Sequence, residues 1–289
     1  MIAIFGATGR VGGAGARRLL EQGLAVRALV RDEGRGATLR ELGAEVMTAD
    51  LRRADDVARA LQGVDAALVV CPMLVLADDA AAEMRATIEA IAAGVKAEPP
   101  GALIAISDYG AELDADTGIT MTFHDLEAAL RDSAPAVTFL RSAEHMHNWG
   151  RFVRIAVETG VLPSLHQPLT KLFPQVAALD VGGVAADLLA EPPTGARSIL
   201  HVEGPRRYTA LDVAATLSQL TGREITARAL PRDDWVPTLT RGGVGPSYAE
   251  LVATMFDVHN TGRIDIDPRA DEVRHGTTEL QDVLASQLG

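Results

Sequence analysis

Residues 2–12 read Ile2-Ala3-Ile4-Phe5-Gly6-Ala7-Thr8-Gly9-Arg10-Val11-Gly12, four apolar residues running into glycines spaced G-x-x-G-x-x-G. Ile2–Phe5 is apolar on both faces, as a central parallel strand must be. Glycines at such a strand end permit a tight turn and let the backbone approach a pyrophosphate at the positive end of a helix. The last of them lets helix and strand pack closely. The predicted helix, Arg10 to Glu21, gathers Val11, Ala14, Gly15 and Leu19 on one side, with Arg17, Arg18 and Glu21 turned away. A glycine triplet alone is weak evidence. Its weight comes from the strand–loop–helix context, which then repeats.

The repetition is regular through the first half: strands at Val26–Val30, Glu45–Thr48, Ala66–Val70, Leu103–Ile106 and Val137–Leu140 alternate with helices at Arg35–Leu42, Ala54–Leu61, Asp79–Ala93 and Asp125–Asp132. This predicts an α/β fold, a Rossmann-type doubly wound parallel sheet. Beyond about residue 142 the rhythm loosens. Leu162-Pro163, Pro168, Pro174 and Glu191-Pro192-Pro193 cut the chain into short pieces, with strands at Ile199–Val202 and Ile225–Ala229 and a helix Thr209–Leu220 capped by Thr209. The expected division is a dinucleotide-binding domain over 1–150 and a smaller mixed α/β substrate region over 151–289. Some strands and helices of the second return to the first sheet.

Composition narrows the partners. The 289 residues carry 27 Lys+Arg against 39 Asp+Glu, a net charge of −12, which argues against nucleic acid. With 47% hydrophobic residues the chain is globular. The longest apolar run, Ala66 to Ala77, contains Pro72 and is too short for a membrane span. No basic, cleavable leader is visible, so a cytoplasmic protein without membrane contact is expected. Cys71 is the single cysteine, which excludes an internal disulfide and a multi-cysteine metal site.

The second landmark lies at the end of the second strand, where an acid binds a ribose 2′-hydroxyl and an arginine accommodates a 2′-phosphate. The chain reads Val30-Arg31-Asp32. Arg31 leaves the strand first, and Arg10 in the glycine loop approaches the same phosphate, so NADP(H) is expected ahead of NAD(H); Asp32 carries the competing NAD reading. Asp50, followed by Leu51 after the third strand, suits the adenine amino group, or else caps the next helix. Cys71 and Pro72 after the fourth strand and Ser107 after the fifth border the cofactor, because ligands bind at the carboxyl ends of such strands. Cys71 itself reads as a small buried apolar residue.

These residues resemble the NmrA-like family of atypical short-chain dehydrogenase/reductases. Val26-Arg27-Ala28-Leu29-Val30-Arg31, Thr48-Ala49-Asp50-Leu51, Leu140-Arg141-Ser142 with Asn148-Trp149, Gly204-Pro205, Tyr208-Thr209 and Leu220-Thr221-Gly222-Arg223 look like that family's successive landmarks. The resemblance implies either a reductase of quinones, dyes or phenolics, or a regulator that binds the dinucleotide without catalysis.

The usual proton-donating pair of short-chain dehydrogenases, Tyr-x-x-x-Lys, is missing. Tyr109, Tyr208 and Tyr248 are followed four residues on by Leu113, Asp212 and Val252. Relatives with a catalytic lysine carry it at the start of the helix before strand six. Here that helix start reads Thr122-Phe123-His124-Asp125, and the only lysines, Lys96 and Lys171, lie elsewhere. His124, whose imidazole titrates near neutrality, is the first substitute, or it merely packs at the helix start. Ser107 and Tyr109 are the other candidates, with Ser107-Asp108 equally readable as turn formers. His145, Asn148, Trp149 and Phe152 are expected along a substrate pocket, covered by Trp235 to Phe256 with Gly242-Gly243 as its hinge.

In Glu144-His145-Met146-His147 the two histidines, on a helix, would point to different sides, so no metal site is expected. Gly-x-Ser-x-Gly is absent, which leaves a serine hydrolase unsupported. Quinones and extended conjugated acceptors collect their proton from water, so the missing lysine weighs more against carbonyl reduction than against quinone reduction. Two functions follow. One is an NADPH-dependent oxidoreductase passing hydride to a quinone-like or conjugated aromatic carbonyl, its partner a small-molecule acceptor. The other is a non-catalytic NADP(H)-binding redox sensor acting through a protein partner. A homodimer stays open in either case.

Overall fold

The computed structural model describes residues 1–192 and 195–288; Pro193, in the predicted chain break, lies outside them. In chain order the elements are β1 (Ile2–Phe5), α1 (Arg10–Glu21), β2 (Val26–Val30), α2 (Ala37–Glu41), β3 (Glu45–Thr48), α3 (Ala54–Leu61), β4 (Ala66–Val69), α4 (Ala80–Ala97), β5 (Ala102–Asp108), α5 (Thr120–Leu130), β6 (Ala136–Ser142), β7 (Glu144–His145), α6 (Gly150–Thr159), β8 (Val161–Ser164), β9 (Gln175–Val176), α7 (Ala178–Ala190), β10 (Arg197–Glu203), α8 (Ala210–Thr221), β11 (Thr226–Ala229), α9 (Trp235–Arg241), α10 (Pro246–Asn260), β12 (Glu272–His275) and α11 (Leu280–Ala285).

Eight strands form one sheet in the order β12-β10-β6-β5-β4-β1-β2-β3, all paired in parallel. The order reverses between β1 and β4, which opens a crevice at their carboxyl ends where open α/β sheets bind ligands. β1 and β4 are buried along their whole length, as strands covered by helices on both faces must be. On one face, α3, α4 and α5 bury Val57, Ile88, Ile91 and Leu126 against Phe5, Val69 and Phe139. On the other, α1 and α7 cover Ile4, Leu68 and Ile104. A third apolar core, built around Trp149, Phe173, Tyr208, Trp235 and Phe256, holds together the small elements beyond the sheet's carboxyl edge.

Most predicted elements lie where periodicity places them; four departures bear on the site. β10 joins the main sheet beside β6, but Thr226–Ala229 pairs with β8 in a separate two-stranded ribbon. β12, a half-exposed edge strand, carries no apolar alternation that would announce it. Helix α5 starts at Thr120, so His124 lies a turn inside it rather than at its start. Glu144–His145 is a short strand paired with Gln175–Val176, not a helix. Thr209 caps α8 as expected, within a reciprocal capping box with Asp212.

Candidate active site

The loop between β1 and α1 is shaped by three glycines. Gly6 has φ +71°, a left-handed conformation that side chains with a Cβ rarely adopt, and its Cα faces Val70 at the end of β4. A Cβ at Gly12 would overlap the Gly6 peptide, and one at Gly9 would stand 3.2 Å from the Gly6 carbonyl. The N-cap of α1 is Gly9, which offers no side chain, and no acid lies in the first turn. The first-turn N–H groups are therefore left for an anion.

A groove of about 530 Å³ starts at this loop. Gly6, Thr8, Gly9, Arg10, Val11, Gly12, Arg31, Asp50, Leu51, Cys71 and Pro72 all line it. The sequence reading missed Arg35 and Arg52, which join Arg31 at the end below β2 and β3. Neither arginine follows from the strand-end rule, because Arg35 sits in the 3₁₀ turn after β2 and Arg52 in the turn after β3. Asp32 takes another role: its carboxylate accepts from the Gly34 N–H at 3.0 Å and caps a short 3₁₀ turn. Asp50 does not cap α3, whose N-cap is Arg53. It pairs with Arg52 at 2.7 Å, and that hydrogen bond holds its carboxyl below the ordinary range. Cys71 is buried, and burial pushes its thiol up to about 12, so it offers no thiolate.

At Met73 and His145 the groove meets a second space of about 230 Å³. This cavity lies over the carboxyl ends of β5 and β6, with Phe123, Trp149, Phe152, Tyr248 and Phe256 in its wall. Trp149 is oriented by its indole N–H, which donates to Gln175 Oε1 at 3.0 Å. The covering segment predicted at Trp235–Phe256 contributes Leu239, Tyr248, Val252, Met255 and Phe256. The predicted substrate residues His145, Asn148, Trp149 and Phe152 all line the cavity. Burial, with His147 and Arg10 nearby, pushes the His145 imidazole down to about 4, so it is neutral at physiological pH.

The three predicted proton donors stand differently. His124 lines a separate recess of about 390 Å³ with Glu112, Arg131 and Arg141, and its Nδ1 lies 2.9 Å from the Ala111 carbonyl oxygen. It does not reach the cavity, since α5 begins earlier than the sequence suggests and turns this side chain away. Ser107 borders the cavity, but its hydroxyl donates to Glu127 at 2.6 Å. Glu127 in turn accepts from Arg141, which also donates to Glu112 and Asp267 at 2.9 Å each. Tyr109 is 2% exposed; its hydroxyl donates to Glu203 at 2.9 Å, and burial together with that carboxylate raises its pKa far above the usual phenol.

Several polar groups of the cavity wall escaped the sequence reading as site residues, among them Asp108, Glu144, Arg151, His166 and His259. His166 Nε2 lies 3.1 Å from Glu144 Oε2, and its ring stacks on Phe173 at 3.6 Å between centroids. Burial works against the Glu144 charge, yet the imidazole beside it holds the carboxyl below its ordinary value. Asp108, read only as a turn former, is the last residue of β5. Its position after Ser107 at a strand end was the signal available for it.

A parallel sheet with reversed strand order, a glycine loop beneath an uncapped helix and an adjoining aromatic cavity are the features of a dinucleotide-binding fold with room for a second ligand. The chain belongs to the NmrA-like family, whose model it matches over residues 1–280. It is 27% identical over 259 residues to the NAD(P)H azoreductase of Xenophilus azovorans, covering 89% of this chain and 86% of that one. It is 34% identical over 267 residues to the (4-alkanoyl-5-oxo-2,5-dihydrofuran-3-yl)methyl phosphate reductase of Streptomyces griseus subsp. griseus, covering 91% and 88%. In structure it resembles the NADPH-dependent quinone oxidoreductase of Escherichia coli complexed with NADPH, with a TM-score of 0.81, 23% identity and full coverage of both chains. Among the described residues no helix is long and apolar enough to cross a membrane.

Proposed function

We propose that this chain is an NADPH-dependent reductase that delivers hydride to a quinone-like or conjugated carbonyl acceptor held in the aromatic cavity. The observation that carries the reading is the meeting of groove and cavity at Met73 and His145, where in this reading the end of a bound dinucleotide faces the acceptor. The relatives' names fit this chemistry. One reduces azo compounds, one acts on quinones, and one takes an oxo-dihydrofuran, itself a conjugated carbonyl.

In this reading Gly6, Thr8, Gly9, Arg10, Val11 and Gly12 hold the pyrophosphate, while Asp50 and Leu51 flank the adenine. Arg31 and Arg35 take the 2′-phosphate, and the turning of Asp32 into its own 3₁₀ cap supports NADP(H) over NAD(H). Cys71, Pro72 and Ser107 lie along the nicotinamide end. The dinucleotide supplies the hydride; the chain supplies position and a cavity that excludes water. Flat rings of an acceptor pack between Trp149, Phe152, Tyr248 and Phe256, while neutral His145 and Asn148 offer hydrogen bonds to its oxygens.

Binding of NADPH, NADP, NADH and NAD to the purified protein, followed by NADPH oxidation against a panel of quinones and conjugated ketones, tests the proposal. Tight NADPH binding with steady turnover is the expected result. Binding without turnover on any acceptor would return the protein to the redox-sensor reading.

A further inference from the structure

Reduction of a carbonyl needs a proton as well as a hydride, and the residues that usually provide it in short-chain dehydrogenases are absent. We propose that Asp108 is the proton donor, passing its carboxyl proton to the acceptor's oxygen inside the aromatic cavity. The inference deepens the reductase reading above and rests on it.

Placement comes first. Asp108 ends β5 in register with Ser142 of β6, at the carboxyl edge of the sheet, and lines the cavity that adjoins the nucleotide groove. Its neighbours Ser107 and Tyr109 have their hydroxyls committed to Glu127 and Glu203. Asp108 accepts a side-chain hydrogen bond from Thr120, whose Oγ1 donates to its Oδ2 at 3.0 Å. Among the described residues no arginine, lysine or histidine donates a hydrogen bond to it, in contrast to Glu127 and Asp267 on the other side of β5 and β6. Two carboxylates around it disfavour a second charge, Glu144 from β7 and Glu112 from the turn after β5, while the Tyr248 phenol of α10, also in the cavity wall, is itself raised by burial and by the Asp108 charge. Arg151, on α6, also lines the cavity. Burial dominates and pushes the Asp108 carboxyl up to about 7, so a substantial share carries its proton at neutral pH.

Four other titratable groups serve worse. The His145 and His259 imidazoles are pushed down to about 4 and about 3, Cys71 sits near 12, and burial raises the Tyr248 phenol. A carboxylic acid with a pKa close to the working pH is the better general acid.

The step balances simply. As hydride adds with its electron pair to the carbonyl carbon, or to the conjugate position, the displaced π pair moves to the oxygen. That oxygen forms an O–H bond with the Asp108 proton while the carboxyl O–H bond breaks. The acceptor is reduced by two electrons, the dinucleotide is oxidised, and Asp108 is left as a carboxylate facing Glu144. Solvent returns the proton when the product leaves and the cavity opens.

Asp108→Asn keeps the shape and still accepts from Thr120, but has no proton to give. The first readout needs no turnover. With a native carboxyl pKa raised from 3.8 to about 7, wild type loses stability relative to Asp108→Asn as pH rises from about 4 to about 7, then levels off. Melting temperatures of both proteins across pH 4–9 show this; a constant difference overturns the proposal. The second readout is kinetic. Turnover with a conjugated ketone is expected to fall roughly 100-fold or more, with NADPH affinity unchanged. The decline of wild-type kcat above about pH 7 is expected to vanish in the variant.

Thr120→Val removes the side-chain hydrogen bond that favours the Asp108 carboxylate, and is expected to move that decline to higher pH. Retention of wild-type rate and pH profile in Asp108→Asn, or transfer of the effect to Tyr248→Phe, overturns the assignment while leaving the reductase reading intact. Failure of the wild type to oxidise NADPH with any acceptor overturns both, and the melting data then still report how Asp108 ionises.

Discussion

Arg31 and Asp32 show how two adjacent side chains divide one decision. The strand-end position belongs to Arg31, and Asp32 accepts from a backbone N–H of the next turn. Arg31→Ala is expected to weaken NADPH roughly 10- to 100-fold, the worth of a charge-assisted contact, and to change NADH binding little. Parallel titrations check this, and equal losses for both cofactors would remove the 2′-phosphate role. These groove residues were legible in the sequence because each follows directly from its distance to a strand end. Asp108 was not. Its chemistry depends on burial and on Glu144, which comes from an element far along the chain. His124 misled for a related reason: residue type and spacing suit an acid, but the start of α5 sets the direction of the side chain.

Elements meet most closely where α1 crosses α7. Gly15 and Gly182 face each other there; a Cβ on Gly182 would lie 2.7 Å from Ala14 Cβ and overlap the backbone of α1. Neither side can yield without moving a helix that carries the phosphate loop. Gly182→Ala is therefore expected to cost about 1–3 kcal/mol, visible as a lower melting temperature, and to weaken NADPH as α1 shifts. An unchanged melting temperature would show that the crossing is slack. The sheet's elements were largely readable, since buried parallel strands are continuous apolar runs. The edge strand β12, Glu272-Val273-Arg274-His275, was invisible because its side chains are mostly solvated. The partner of Thr226–Ala229 was unreadable for another reason: pairing between β8 and β11 is set by the third core, not by either strand's own pattern.

Across the whole molecule, burial of histidines makes stability depend on pH. Burial pushes His145 and His201 down to about 4 and His259 to about 3, from an ordinary 6.5. The unfolded chain thus binds protons that the native protein refuses as pH falls through 6.5, and native stability declines down to about pH 4. Asp108 and Glu112, both raised, act in the opposite direction over part of this range. The melting temperature is expected to fall between pH 7 and pH 4, more steeply in Asp108→Asn than in wild type. A flat profile in that variant would mean the buried imidazoles take up protons without penalty.

The packing of α7 on α1 also has a consequence for biosynthesis. The ribosome delivers α1 first, and the helix that covers it begins only at Ala178. At about 5–20 residues per second that interval lasts roughly 8–30 s. During this time Val11, Ala16 and Leu19, buried in the finished protein, have no partner on that face. The nascent cofactor half must therefore wait, sheltered or at risk of aggregation, until nearly two-thirds of the chain has emerged.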